Sequence, residues 1–345
     1  MMCLSGIDRT DTLHAFLSSG RLGLMTNQTG LSSRFRPTVD LLNSRYRLTA
    51  LFAAEHGIRG DRQAGEAVSV STDPGTGLTV WPLYGKNKRL TDEMLETFDI
   101  FCFDMQDVGA RFYTFLYALS FAMEECCRAG KPVVVFDRIN PLGGEQIQGT
   151  VLDPRFASYV GMYPLPTRYG LTIGEYARMI NGEHWLAGGR ECWLFVVPMQ
   201  GYRRDSVYEL PVPPSPNLRN AHAIALYPSL CLFEGTDCGV GRGTTTPFEI
   251  VTYGKDTMDL TSFTPSDSCM HLDFLLEMYR RVPKGKFFLK NNFFDRLAGT
   301  DMLRRQIAQG KTEEEIRASW QPALDHFKTI RSKYLIYPDN RRQGE

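Results

Sequence analysis

DIFCFDMQDVGARFYTFLYALSFAMEECCRAGKPVVVFD, residues 99–137, is the stretch whose reading decides the fold. Its ends, DIFCFDM (99–105) and PVVVFD (132–137), are short unbroken apolar runs, the pattern of strands covered on both faces. Between them, FYTFLYALSFAMEECCRAG (112–130) carries Phe112, Phe115, Leu116, Leu119, Met123 and Cys126 at i, i+3/i+4 spacing, with Gly130 suited to the C′ position of a helix. A strand, a crossover helix and a second strand make a parallel pair with the helix laid over it.

The same texture extends outward from this unit. LGLMT (22–26), LTALFA (48–53) and CWLFVV (192–197) are further buried strands. PTVDLLNS (37–44), TDEMLETF (91–98) and TIGEYARMINGEHWLAG (172–188) are helices; Thr91 or Asp92 is an N-cap for the second, and Thr172 with Glu175 has capping-box spacing in the third. The alternation over roughly the first 200 residues predicts a doubly wound, mostly parallel α/β sheet. The texture then changes. YELPVPPSPNLRN (208–220) holds four prolines and cannot stay regular, and EGTDCGVGRGTTTP (234–247) is a Gly/Thr-rich loop. Helical patterns follow it. The expected division is 1–221 for the sheet domain and 222–345 for a smaller C-terminal α+β domain.

A chain of 345 residues has ample material for two cores, and 43% hydrophobic with 23% charged residues is ordinary globular composition. Formal net charge is zero, so a nucleic-acid partner is not expected; a small or neutral ligand fits better. No run approaches the ~18 apolar residues of a membrane span, and the first residues lack the basic and apolar regions of a signal peptide. The eight cysteines include no C-x-x-C pair, Cys102 falls within a strand-like run and Cys126 and Cys127 late in a helix, which predicts reduced thiols and a cytoplasmic setting as the sequence stands. A periplasmic or secreted location applies if an export signal was lost.

Ligands of open α/β sheets bind beyond the carboxyl ends of the strands, so the residues just past each strand carry the functional signal. Thr26-Asn27-Gln28 comes after the first and Glu55-His56-Gly57-Ile58-Arg59 after the second. Asp104-Met105-Gln106-Asp107, with Gly109, Arg111 and Tyr113, comes after the third, and Asp137-Arg138-Ile139-Asn140 after the fourth. Four polar ends on one edge predict a polar site. Glu55 directly follows LFAA, and a carboxyl against apolar walls has its pKa raised, the property of a general acid. His56 can orient Glu55, bind substrate or cap a helix. Asp104 or Asp107 can supply a second carboxylate, or can pair with Arg111 or Arg138 as a structural ion pair.

Other chemistries fall away. GVGRG (239–243) fails G-x-G-x-x-G because residue 244 is Thr, and there is no P-loop, no H-x-x-x-H or H-E-x-x-H and no G-x-S-x-G. No metal and no cofactor are expected, and carboxylate chemistry is the leading enzyme class.

LMTNQTG, LFAAEHGIRG, FDMQDVGARFYTF, FDRINPLGG, PPSPN, YPSLCLFEGT…GRGTTTPFE and SW…FKTIRSKYLIY occur in this order between about residues 20 and 337. In them the chain resembles the DUF1343 family, which includes exo-β-N-acetylmuramidases. The resemblance implies a Rossmann-like N-terminal catalytic domain, a smaller C-terminal domain and an active site in the cleft between them. It implies release of terminal non-reducing N-acetylmuramic acid from peptidoglycan-derived saccharides such as MurNAc-GlcNAc, with the A-x-E-H-G glutamate, Glu55 here, as the catalytic group. Tyr169 stands where many members have His. Glycosidases pair two carboxyl groups whose separation sets the stereochemistry, and Asp104, Asp107 and Glu234 are the candidates for the second; assistance by the 2-acetamido group is a further route. Arg59, Arg111, Arg138 and Arg242 are candidates to hold the lactyl carboxylate. Asn27, Gln106, Asn140 and Asn217 can read hydroxyl or N-acetyl groups, and Tyr113 can stack on a ring. A related glycosidase of altered sugar specificity and a non-catalytic muropeptide-binding protein are the alternative readings.

Overall fold

The computed structural model describes residues 3–54, 57–59, 69–83, 85, 87–264 and 269–338. Glu55 and His56, the first two candidates from sequence, lie outside the described residues.

The continuous apolar runs are strands. In chain order the sheet domain contains α1 (His14–Leu17), β1 (Leu22–Thr26), α2 (Thr38–Arg45), β2 (Leu48–Ala53), β3 (Ser71–Thr72), β4 (Thr79–Pro82), α3 (Asp92–Leu95), β5 (Ile100–Asp104), α4 (Phe115–Arg128), β6 (Val133–Phe136), α5 (Ile173–Gly182) and β7 (Leu194–Val197). These strands form one seven-stranded sheet in the order β3-β4-β2-β1-β5-β6-β7. Every pairing in it is parallel except β3 with β4. The remaining chain contains α6 (Ala221–Leu230), an antiparallel pair β8 (Ile250–Tyr253) and β9 (Asp256–Asp259), and α7 (Asp273–Arg281), α8 (Phe293–Ala298), α9 (Met302–Ala308) and α10 (Glu313–Arg331).

Side chains alternate across the sheet as a period of two requires. Leu22, Leu24, Leu51, Ile100, Cys102, Val134 and Phe136 belong to one apolar cluster, which α2 covers with Val39, Leu41 and Leu42. Met25, Phe52, Phe101, Phe103, Val133 and Val135 belong to the other. That second cluster takes in α4 and α5 and continues through Tyr227, Phe233, Trp320 and Phe327 of the C-terminal part. The helix caps expected from sequence form: Thr91 Oγ1 accepts from the Met94 N–H, Thr172 and Glu175 make a capping box, and Gly130 follows α4 with φ +65°. All eight cysteines are free. Among the described residues no helix is long and apolar enough to cross a membrane.

The connections on either side of β1 position the site. The chain leaves β1 through α2 to β2 on one side, and β5 pairs with β1 on the other. The reversal between β1 and β5 is a topological switch point, where open sheets form a crevice. The register brings the strand ends level: Thr26 lies opposite both Ala53 and Asp104, and Ala53 opposite Pro82.

Candidate active site

The polar residues beyond the level strand ends do different jobs. Beyond β1, Asn27 Oδ1 accepts from the Thr29 N–H at 3.0 Å and from its hydroxyl at 2.5 Å, an Asx turn that shapes the loop. Thr29 Oγ1 then accepts from the Gln106 N–H at 3.0 Å, joining the ends of β1 and β5. The Gln28 amide donates to the Pro213 and Pro214 carbonyls at 3.2 and 3.4 Å, attaching the proline-rich loop to the same place. Asn27 Nδ2, Gln28 Oε1 and Asp107 Oδ1 are buried with no hydrogen-bond partner among the described residues. Buried polar atoms are normally satisfied, and these three exceptions lie together along adjacent strand ends.

Asp104 and Arg138 form a buried bidentate ion pair. Arg138 Nε donates to Oδ1 at 2.5 Å and Nη2 to Oδ2 at 2.8 Å, while the Thr38 hydroxyl at the start of α2 also donates to Oδ2. Arg138 Nη2 also donates to the Leu31 carbonyl at 3.0 Å. This is the structural-pair alternative for Asp104. Its two oxygens are occupied by three donors, and Arg138 is correspondingly committed.

Asp107 is differently placed. The Tyr169 hydroxyl and the Gly109 N–H donate to Oδ2, the latter at 2.8 Å, and burial pushes the carboxyl up to about 6 against the pull of those two donors. Gly109 has φ +78°, and a Cβ there would overlap the Asn140 amide oxygen. The two amides beside it bind backbone. Gln106 donates to the Asp107 and Ile139 carbonyls, both at 2.7 Å; Asn140 donates to Leu171 O at 2.9 Å and accepts from Leu142 N at 3.0 Å.

Two further arginines are engaged away from any open surface or in exposed pairs. Arg111 is fully buried, and its guanidinium donates to the carbonyls of Thr150, Leu165 and Leu297 at 2.5, 2.7 and 2.8 Å. Burial, with no carboxylate against it among the described residues, lowers its pKa to about 10. It clamps the β5–α4 loop to α8. Arg59 is held by Asp73 at 2.7 and 2.9 Å and by Asp40 at 3.1 Å.

The remaining four candidates meet. A cavity of about 180 Å³ lies between the start of α4 and the C-terminal part, and Tyr113, Asn217, Glu234 and Arg242 all line it. Tyr113 comes from the loop after β5; its hydroxyl donates to the Pro214 carbonyl at 2.9 Å, the same oxygen Gln28 reaches. Asn217 comes from the proline-rich loop, Glu234 from the turn after α6, and Arg242 from the Gly/Thr-rich loop. Arg242 Nε donates to Glu234 Oε1, and the guanidinium lies 5.0 Å above the Phe248 ring. Tyr227 stands edge-on to Phe248, ring centroids 4.9 Å apart, and completes an aromatic wall. A half-exposed guanidinium fork over an apolar, aromatic cup is suited to a carboxylate carried on a ring. Gln28, Tyr227 and Phe248 were not among the candidates chosen from sequence. Gln28 shared a strand end with Asn27, which was a usable signal; nothing local distinguished Tyr227 or Phe248 from core aromatics.

The N-terminal model of the exo-β-N-acetylmuramidase NamZ family matches residues 22–222, and the C-terminal model matches residues 225–266 and 257–337. The peptidoglycan β-N-acetylmuramidase NamZ of Bacillus subtilis (strain 168) is 38% identical over 93% of this chain and 88% of that protein. A DUF1343 family protein from Bacteroides fragilis NCTC 9343, known from its crystal structure, superposes with a TM-score of 0.89 at 33% identity, covering 99% of this chain and 100% of that one. A second DUF1343 protein of the same organism gives 0.85 at 28% identity, covering 97% and 99%.

Proposed function

This chain belongs to the NamZ exo-β-N-acetylmuramidase family, and from that premise we propose that it is an exo-acting glycoside hydrolase releasing terminal non-reducing N-acetylmuramic acid from peptidoglycan fragments such as MurNAc-GlcNAc. The single structural observation that carries the reading is the convergence of Tyr113, Asn217, Glu234 and Arg242 on one cavity from three separate stretches of chain, around 113, around 217 and 234–242. Residues 1–221 act as the sheet-bearing catalytic unit and 222–345 as the smaller unit closing the cleft; the cavity draws its walls from both.

Arg242 receives the lactyl carboxylate. Its Nε edge is held by Glu234, which aims the guanidinium while the Nη edge serves the ligand. Asn217 hydrogen-bonds the acetamido or hydroxyl groups, and the Tyr113 and Tyr227 rings face the apolar side of the sugar. Glu55, two residues past the end of β2, protonates the glycosidic oxygen as its bond to the anomeric carbon breaks, and the second sugar leaves with that oxygen as a hydroxyl. The oxygen of a water molecule takes its place on the anomeric carbon while its proton returns to the enzyme; His56 supports Glu55. Asp104 serves the scaffold, since its oxygens are taken. Eight free thiols suit a reducing compartment, and the cytoplasm is the proposed location.

The test is Glu55→Gln against MurNAc-GlcNAc, whose sugar hydroxyl cannot leave without the proton. Loss of a general acid lowers kcat by about 10²- to 10⁴-fold with the circular-dichroism spectrum unchanged. Turnover close to wild type refutes the assignment of Glu55.

A further inference from the structure

The cavity that holds Arg242 measures about 180 Å³, and a second one, beyond the carboxyl ends of β1, β5 and β6, measures about 210 Å³. Sites for drug-sized ligands begin at about 300 Å³, and a disaccharide is a ligand of that size. Neither cavity reaches that figure alone, and the two together exceed it. What divides them therefore decides how many rings the site admits.

The divider is the proline-rich loop. Leu210, Pro211 and Val212 line the second cavity, and Ser215, Asn217 and Leu218 line the first. Three residues of chain span about 10 Å at most, so the two linings approach each other within that distance across Pro213 and Pro214.

This stretch is knitted to the rest of the chain by side chains. Pro211, Pro213 and Pro214 have no N–H to donate and a fixed φ. Among the described residues no backbone group of 211–214 is hydrogen-bonded to another backbone group. The Gln28 amide donates to the Pro213 and Pro214 carbonyls at 3.2 and 3.4 Å, and the Tyr113 hydroxyl donates to the Pro214 carbonyl at 2.9 Å. Just past them, the Ser215 carbonyl accepts from the Leu218 N–H at 3.1 Å and its hydroxyl from the Asn217 N–H at 3.3 Å. A stiff segment held by so few contacts opens locally at a free energy well below that of global unfolding.

The two holding side chains differ in what else they do. Tyr113 is part of the wall of the first cavity, whereas Gln28 lines neither cavity. We propose that residues 211–215 are a movable partition between the two cavities, and that the Gln28 amide is the latch whose strength sets how readily a second sugar ring is admitted. In the latched form the first cavity takes the single N-acetylmuramic acid ring. With the latch released the two spaces join and take an uncut disaccharide. The inference rests on the proposed release of N-acetylmuramic acid, because that substrate carries at least two rings.

Hydrogen–deuterium exchange reads the partition directly, and kcat/KM for MurNAc-GlcNAc reads admission, both on the full chain. Gln28→Met keeps the length of the side chain and loses the donor, which shifts the opening equilibrium about two- to tenfold. The amides of Asn217 and Leu218, which lose their acceptors when Ser215 moves, exchange faster by that factor, and kcat/KM on the disaccharide rises by the same factor. The inhibition constant of free N-acetylmuramic acid, a single ring, stays at the wild-type value. A merely structural role for Gln28 does not produce that split between one ring and two. Tyr113→Phe, read by exchange alone because its ring belongs to the sugar cavity, quickens the same two amides and serves if Gln28→Met does not fold. Exchange that is unchanged in the folded variants overturns the proposal, as does faster exchange in Gln28→Met with no gain on the disaccharide. If the wild type cleaves no MurNAc-GlcNAc, the activity reading falls, and exchange alone then upholds or overturns the partition.

Discussion

Asp104→Asn separates a scaffold role from a catalytic one. In the folded chain the carboxylate neutralises a guanidinium that is itself buried, and it accepts from Arg138 Nε at 2.5 Å, from Nη2 at 2.8 Å and from the Thr38 hydroxyl. Asparagine keeps one oxygen but turns an NH₂ toward one of these donors and leaves Arg138 without a counter-charge. Breaking a buried pair from one side costs about 3–5 kcal/mol. Unfolding entropy of about 2.1 cal/mol/K per residue over 345 residues gives about 0.7 kcal/mol per degree, so Tm falls by roughly 4–7 °C if unfolding is two-state. Scanning calorimetry measures that shift, and turnover of the MurNAc glycoside is measured well below the variant's Tm. The expected result is a less stable enzyme whose kcat stays within about threefold of wild type, since a general acid or base contributes about a hundredfold or more. The double variant Asp104→Asn/Arg138→Gln recovers part of the stability because the stranded charge is gone. A variant with wild-type Tm and a kcat lowered a hundredfold refutes the reasoning and returns Asp104 to the reacting centre.

The same geometry sets three other outcomes. Arg242→Met removes a charge-assisted contact of about 1.5–3 kcal/mol and lowers kcat/KM on MurNAc glycosides about ten- to a hundredfold, while the matching GlcNAc glycoside, which lacks the lactyl carboxylate, is unaffected; an equal loss on both substrates counts against the lactyl assignment. Burial raises the Asp107 carboxyl from 3.8 to about 6, so folding favours its neutral form: that contribution is complete below about pH 4 and is lost as pH rises through 6, about 3 kcal/mol in all. In urea melts Asp107→Asn, neutral throughout, gains stability relative to wild type between pH 4 and 7, and a pH-independent difference refutes the shift. Gly109→Ala forces φ +78° on a Cβ that meets the Asn140 amide, and lowers stability by about 2–5 kcal/mol in the same assay; a neutral effect shows that the loop relaxes.

The main sheet was legible because its strands carry their own signal. β1, β2, β5, β6 and β7 are unbroken apolar runs buried on both faces, and each was found within a residue or two of its ends. β3 and β4 were missed for the opposite reason: they are two and four residues long, half-exposed, and written in Ser, Thr, Trp and Pro, so neither length nor period identifies them. The candidate site divides along a similar line. Residue types at the strand ends were readable, but their commitments were not, because those partners lie far along the chain. Arg111 meets carbonyls at 150, 165 and 297, and Arg138 meets a carboxylate 34 residues before it. An amide or a guanidinium at a strand end looks the same in sequence whether it binds substrate or the backbone. Gln106 and Asn140 turned out to hold carbonyls, whereas Arg242, in a loop with no strand to recommend it, stands half-exposed over an aromatic ring. The physical distinction is competition for donors. Inside a low-dielectric fold each buried polar group must be paired, so most polar residues near the sheet edge are consumed by the chain itself. Among the described residues the chain leaves little unconsumed at this edge: the Arg242 guanidinium, hydrogen-bonded at its Nε edge, and the buried polar atoms of Asn27, Gln28 and Asp107 that have no partner.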